Sequence, residues 1–295
     1  IDRLVDKSVA CGMPALALTD HGNLFGAVQF CEKAKKKGLK PITGCEVYVA
    51  PDRMNRDSAE TRHHLVLLVR DETGYRNLCR MVSLSHIESF YYKPRIDFAL
   101  LSEHCAGLVA LTSCLQGEVP QALMRGDEKR AEEVARRYEA LFGPGNFYLE
   151  LQDHGLPEQK QVNEQLLRLS RRTGIPLVAT NDCHYMEAGD ALAHEVLVCI
   201  QTGKVLSDES RLKFNSGEFY FKTPAEMEAL FGQVPEALDN TLAIAERCAF
   251  EFDTKSQHYP RFEIPAGSTP DEYFADVTRR GFAERLQELE EDRAA

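Results

Sequence analysis

The sequence predicts an α/β protein built as a barrel, and three observations point there. Short apolar runs recur along the chain. Capped, amphipathic helical stretches lie between most of them. Histidine, carboxylate and cysteine side chains cluster where several of the runs end. Strands alternating with helices imply βαβ units and a mainly parallel sheet. At least six such runs suit a barrel better than a short sandwich, with a doubly wound open sheet as the structural rival.

The first run, PALAL (14–18), is bounded by Pro14 and by the pair Asp20-His21. The stretch AVQFCEKAKKK (27–37) has a helical period and is closed by Gly38, a residue suited to a helix C-terminus. Its lysines, within KAKKKGLK (33–40), suit the negative end of the helix dipole and a solvated face better than a phosphate patch. Next come ITGCEVYV (42–49), HLVLLV (64–69) and GLVALT (107–112), all read as buried strands. The helix predicted over 127–142 begins at a capping Asp127 and ends before Gly143. FYLEL (147–151) is a further strand, followed by a helix over 157–173 that opens on Pro157 and stops before Gly174. IPLVAT (175–180) is the last run, and TPAE (223–226) is a capping box that opens MEALF. Residues 251–270 hold three prolines and no helical period, so they read as a linker. The predicted organisation is therefore one barrel domain over 1–250, that linker, and the helical, charged start of a second domain over 271–295.

Composition narrows the function classes. A chain of 295 residues with 43% hydrophobic residues builds a real core. The nine cysteines are scattered singly without a CxxC pair, which excludes zinc-ribbon and thioredoxin motifs and predicts reduced thiols in a cytoplasmic protein. A net charge of −11 argues against coating nucleic acid by bulk electrostatics, but a bound metal would supply its own positive charge toward phosphates. No apolar run approaches the ~20 residues that span a bilayer, and no signal-peptide order is present, so no membrane partner is expected. The chain starts at Ile1 rather than Met, which suggests a fragment.

In a parallel barrel, functional side chains come from the C-terminal ends of the strands. Asp20 and His21 follow the first run, Ser113 and Cys114 follow GLVALT, and Asp182 and His184 follow IPLVAT. Glu46 lies within ITGCEVYV, Glu150 within FYLEL, and His154 follows it. His63 and His64 stand at the opposite end of their run, which the rule does not explain unless that strand runs differently. Each residue alone has a plainer explanation. Asp20 and Asp182 could cap helices, Cys114 could be a small buried hydrophobe, and His194 sits inside a helical pattern. His86, His104 and His258 have no context that assigns them a role. Convergence shifts the balance, because carboxylates and imidazoles packed together need a cation between them. The mixture of nitrogen, carboxylate and single thiolate suits zinc first, with manganese or iron as alternatives.

The phrases LTDHGNLFGAVQF, KPITGCEVYV, HHLVLLVRDETGYRNL, LTSCLQGEVPQ, ELQDHGLPEQKQVNE and VATNDCHYMEAGDALAHEVL closely resemble the PHP (polymerase and histidinol phosphatase) domain of the bacterial replicative DNA polymerases. The resemblance extends over about residues 1–250. It implies a distorted barrel of about seven strands with several divalent metals at its mouth. Carried over by motif, the ligands are His21, Glu46, His64, Cys114, Asp182 and His184, with His63 competing with His64. Asp20 would steady the His21 imidazole, and His154 would touch a phosphate. The implied chemistry is phosphoester hydrolysis such as 3'–5' proofreading, with a metal-activated hydroxide attacking. The implied partners are DNA and the other polymerase subunits, namely a separate proofreading exonuclease and, through the rest of the polymerase, the sliding clamp.

Two departures matter. The family opens with a His-x-His motif, and this chain has none, so the first strand and three ligands are expected to be missing. Nucleotide addition in the family uses a DxD pair, also absent here, so this chain alone is not expected to polymerise DNA. The alternatives are a non-catalytic module that docks a proofreading exonuclease, and a standalone histidinol-phosphate-type phosphatase. The linker, the helical tail and phrases such as GLPEQKQVNE count against the phosphatase.

Overall fold

The computed structural model describes residues 1–56, 62–257, 259, 260 and 262–294. The chain divides into two compact units, Ile1–Phe252 and Asp253–Ala295. The described residues of the second unit form an irregular segment and one long helix, Pro270–Ala294. His258 lies outside the described residues.

The first unit is an α/β fold around one curled, mixed sheet. Its strands are β1 (Ala15–Leu18), β2 (Lys40–Val49), β3 (His63–Val69), β4 (Phe90–Tyr91), β5 (Lys93–Ile96), β6 (Leu108–Leu111), β7 (Phe147–Leu151) and β8 (Leu177–Ala179). Its helices are α1 (Asp2–Ala10), α2 (Ala27–Lys36), α3 (Glu72–Ile87), α4 (Phe98–Glu103), α5 (Glu118–Met124), α6 (Glu128–Phe142), α7 (Pro157–Thr173), α8 (Ala191–Thr202), α9 (Pro224–Phe231) and α10 (Pro235–Arg247). The strands run in the order β4-β5-β2-β3-β6-β7-β8, and β1 pairs with the first half of β2. All six apolar runs form strands, and the expected helices form with their expected caps. Asp127 caps α6, Pro157 opens α7, Gly174 closes it in a left-handed conformation, and Thr223 and Glu226 complete the capping box of α9.

The sheet is mixed: most of its pairs are parallel, as the sequence reading expects, and β3 is the main exception. β3 is antiparallel to both β2 and β6, while the β1–β2, β2–β5, β6–β7 and β7–β8 pairs are parallel. The cause lies in the connection. Among the described residues no helix separates β2 from β3, and a parallel neighbour needs a crossover of a dozen or more residues, usually helical. The small β4–β5 hairpin adds an edge that the apolar pattern does not reveal, because KPRI carries two basic residues.

The main core fills the space between one face of the sheet and the covering helices, around Leu67, Leu78, Leu101, Leu123, Leu149 and Leu169, each fully buried. A second cluster, including Ile42, Val66, Val109, Leu111 and Val178, lies on the sheet's other face. That face borders a cavity of about 890 Å³ between β1 and β8, floored by apolar side chains and ringed at one end by acids and imidazoles. Among the described residues, no helix is long and apolar enough to cross a membrane.

Candidate metal centre

The polar end of this cavity is built by strand register. The β1–β2 ladder, Ala15 opposite Lys40 to Leu18 opposite Thr43, is extended past β1 by a parallel bridge between His21 and Glu46. The Glu46 amide donates to the Asp20 carbonyl at 3.1 Å, and the Gly22 amide donates to the Glu46 carbonyl at 2.9 Å. Gly22 has φ +66°, a left-handed conformation that a side chain disfavours, and its carbonyl is held by His86 Nε2 at 2.8 Å. His86, which sequence alone left without a role, thus anchors the turn that carries His21.

The antiparallel course of β3 resolves the anomaly of the His63-His64 pair. Because β3 starts where β2 ends, its N-terminus lies at the same mouth as the C-termini of the parallel strands. Glu46 pairs with Val66, two residues from His64, so alternation puts Glu46 and His64 on one face. His63 takes the other face, with Nδ1 3.4 Å from the Gln116 carbonyl.

His21, Glu46 and His64 offer ligand atoms that all lie within 4.8 Å of one another. Glu46 Oε1 is 2.5 Å from His64 Nδ1, and Glu46 Oε2 is 3.5 Å from His21 Nδ1. Cys114 Sγ is 3.5 Å from His64 Nδ1. His184 Nδ1 lies 3.5 Å from Asp182 Oδ1, and the His184 and His21 ring centroids are 6.4 Å apart. The His184 amide donates to the Phe219 carbonyl, which ties the segment after β8 to residues 219–221.

Electrostatics fits a cation among these groups. Burial raises the Glu46 carboxyl, but the His64 hydrogen bond, the adjacent imidazoles and Ser113 outweigh it and leave Glu46 below its ordinary range. Burial also raises Asp182, and His184 opposes the rise. The Cys114 thiol is pushed well up by burial, then by the Glu46 and Asp182 carboxylates, so it is held neutral unless a cation offsets them. Two imidazoles, a carboxylate and a thiol in contact form a donor set that zinc accepts.

The remaining candidates are placed less directly. Asp20 lines the cavity, half-buried and raised by burial, and the His21 ring faces Glu46. His154 is fully buried, stacked on Phe219 with centroids 4.2 Å apart, and its Nδ1 meets Gln159 Nε2 at 2.9 Å. Burial, then Lys222, lowers it to about 4. In this position it is covered by Phe219 rather than open to a phosphate. His194 sits 5.4 Å, ring to ring, from His184, and His104 meets Asn77 Oδ1 at 3.4 Å.

Sequence reasoning named Ser113 and Glu150 but gave them no part in the site. Ser113 Oγ donates to Glu46 Oε1 at 3.0 Å, and the Ser113 amide donates to Glu150 Oε2 at 2.8 Å. The available signal was the single acid inside the apolar run FYLEL.

The chain is similar to known proteins along most of its length. The family described as "PHP domain" matches residues 1–154. DNA polymerase III subunit alpha of Treponema pallidum is 44% identical over 297 residues, covering 99% of this chain and 25% of the relative. The protein of the same name from Thermus aquaticus is 44% identical over 283 residues, covering 92% of this chain and 23% of the relative. This chain spans about a quarter of the length of the curated relatives it matches. Among solved structures, an amidohydrolase from Chromobacterium violaceum aligns over 59% of this chain and 78% of its own, with a TM-score of 0.37 and 15% identity.

Proposed function

The chain belongs to the PHP domain family, and from that premise we propose that it is the N-terminal portion of a DNA polymerase III alpha subunit whose PHP domain is a metal-dependent phosphoesterase acting on DNA ends. The observation that carries this reading is the meeting of His21, Glu46 and His64 within 4.8 Å, with His21 and Glu46 lining one end of a cavity wide enough for a nucleotide. His21, Glu46, His64 and Cys114 would hold one cation, and Asp182 and His184, across the cavity mouth, would hold a neighbour. Zinc fits the thiol best. Bound cations would supply an activated water and neutralise charge developing on phosphate. The chain's own residues orient those ligands beside the apolar floor.

The cavity between β1 and β8 supports a further strand at that place. Each of these strands has an edge unpaired among the described residues, and the floor between them is apolar. A strand carrying a His-x-His motif there would add ligands to the same mouth. Polymerisation, DNA and the other replicative subunits belong to the larger protein, with the second unit beginning its next region.

One observation favours a second reading, a structural module within the polymerase. The apolar helix α8 leaves Leu192, Leu197 and Ile200 more than 60% exposed, a row suited to packing against other protein. In that reading the metal is structural.

Hydrolysis of 3'-labelled single-stranded and mismatched-end DNA by the full-length protein separates the two. The phosphoesterase reading expects metal-dependent release of nucleotides that Asp182→Ala abolishes. A protein that keeps its metal and releases none is the structural module.

A further inference from the structure

One feature of the metal centre lies outside its ligand set. Ser113, between β6 and Cys114, adopts φ +62° and is 3% exposed. A non-glycine residue in this left-handed conformation persists only where its surroundings over-determine it, and such residues concentrate at functional sites. Here the surroundings are specific. The Ser113 amide donates to Glu150 Oε2 at 2.8 Å. Glu150 Oε1 accepts from Gln152 Nε2 at 3.0 Å and from the Thr180 hydroxyl, so both carboxylate oxygens are engaged. The Glu150 amide in turn donates to Thr112 Oγ1 at 2.8 Å, which locks β7 to the residue before Ser113. On its other side, the Ser113 hydroxyl donates to Glu46.

The turn that follows is equally fixed. The Gly117 amide donates to the Cys114 carbonyl at 2.9 Å, and the Gln116 carbonyl accepts from the His64 amide at 3.1 Å. A side chain at Gly117 would stand 2.0 Å from the Thr112 carbonyl oxygen, so the loop has no room to relax there. These contacts hold the loop in the conformation that brings Cys114 Sγ to His64.

We propose that Glu150 and Ser113 are positioning residues of the metal centre. Glu150, from β7, clamps the left-handed turn at Ser113 and so aims Cys114, while the Ser113 hydroxyl orients Glu46. The inference rests on the metal-site reading above and assigns to that site two residues that bind no metal themselves. Removing such a support loosens the ligand it holds, and losses of this kind cost about 10- to 100-fold in metal affinity.

The test uses cobalt(II) alone as the probe, added to the metal-stripped full-length protein, with affinity from titration and cysteine ligation from the thiolate-to-cobalt charge-transfer band. Cys114→Ser identifies the band by abolishing it. Glu150→Leu is expected to fold, to bind cobalt about 10- to 100-fold more weakly and to lose much of the band. Glu150→Gln, which keeps an acceptor for the Ser113 amide, is expected to restore both. Unchanged affinity and band in Glu150→Leu overturn the proposal. If Glu150→Leu does not fold, Ser113→Ala decides. It loses only the hydroxyl, so weaker binding supports the proposal and unchanged binding overturns it. A wild-type protein that binds cobalt without a thiolate band overturns the cysteine-ligated metal site and this inference together. A normal wild-type band indifferent to every substitution at 113 and 150 overturns this inference alone.

Discussion

Glu46 and His64 meet across the antiparallel pair β2–β3, with Glu46 Oε1 2.5 Å from His64 Nδ1. Register alone produces the contact. Val66 is opposite Glu46, and His64 is two residues away on the same face. The adjacent His63 points elsewhere, toward the Gln116 carbonyl. Two consecutive histidines therefore have separate fates.

That separation predicts a paired result. His64→Ala is expected to weaken zinc binding more than about 100-fold, beyond the loss from a supporting partner, whereas His63→Ala stays within a fewfold of wild type. Competition against a chromophoric chelator measures both. Equal losses would contradict this strand register.

The buried acid Glu150 predicts a pH dependence. Burial raises its carboxyl to about 7, with the Glu46 and Asp182 charges adding to the rise. In the metal-free protein the folded state then binds a proton that the unfolded state releases near the ordinary value of 4.5. Stability from this group is therefore full below about 4.5 and falls as pH rises toward 7, by at most roughly 3 kcal/mol. Glu46 runs the other way, since its carboxyl is depressed. Its contribution is present above its ordinary value and is lost as pH falls through the lower folded value. Urea denaturation of metal-free Glu150→Gln at pH 5 and 7 checks the Glu150 contribution, and the expected result is a flatter profile than that of wild type.

Legibility in the sequence followed the range of the interactions. Local signals, apolar runs and helix caps, placed the strands at 42–49 and 147–151 and the helices at 127–142 and 157–173 almost to the residue. The direction of β3 was not local. It depended on the connection between β2 and β3, and that choice decides whether His64 or His63 faces Glu46. The ligand types were legible because Asp-His and Asp-Cys-His after apolar runs are chemically unusual. The supports were not. His86 reaches the Gly22 carbonyl from a helix 64 residues away, and Glu150 reaches the Ser113 amide from 37 residues away.

The core makes a third prediction. Leu67 and Leu149 are fully buried in the main cluster. Leu149→Ala leaves a cavity between β7 and its covering helices and is expected to destabilise the domain by about 2–5 kcal/mol. The midpoint of a denaturation curve reports it. A loss below about 1 kcal/mol would show that the site collapses around the smaller side chain.

Gly117 makes a fourth. An added methyl would stand 2.0 Å from the Thr112 carbonyl oxygen, a contact no side chain sustains. Gly117→Ala is therefore expected to displace the 112–117 loop and reduce the cobalt–thiolate band, while the distant caps and core keep the protein folded. A full-strength band would contradict the view that the packing of Gly117 helps to aim Cys114.

X-ray absorption at the zinc edge, on full-length protein carrying its stoichiometric metal, tests the central claim most directly. The expected shell holds one sulfur at about 2.3 Å among nitrogen and oxygen ligands at about 2.0–2.2 Å, and the sulfur disappears in Cys114→Ser. A purified protein without stoichiometric metal, or a shell of nitrogen and oxygen alone, would contradict a centre built on His21, Glu46, His64 and Cys114.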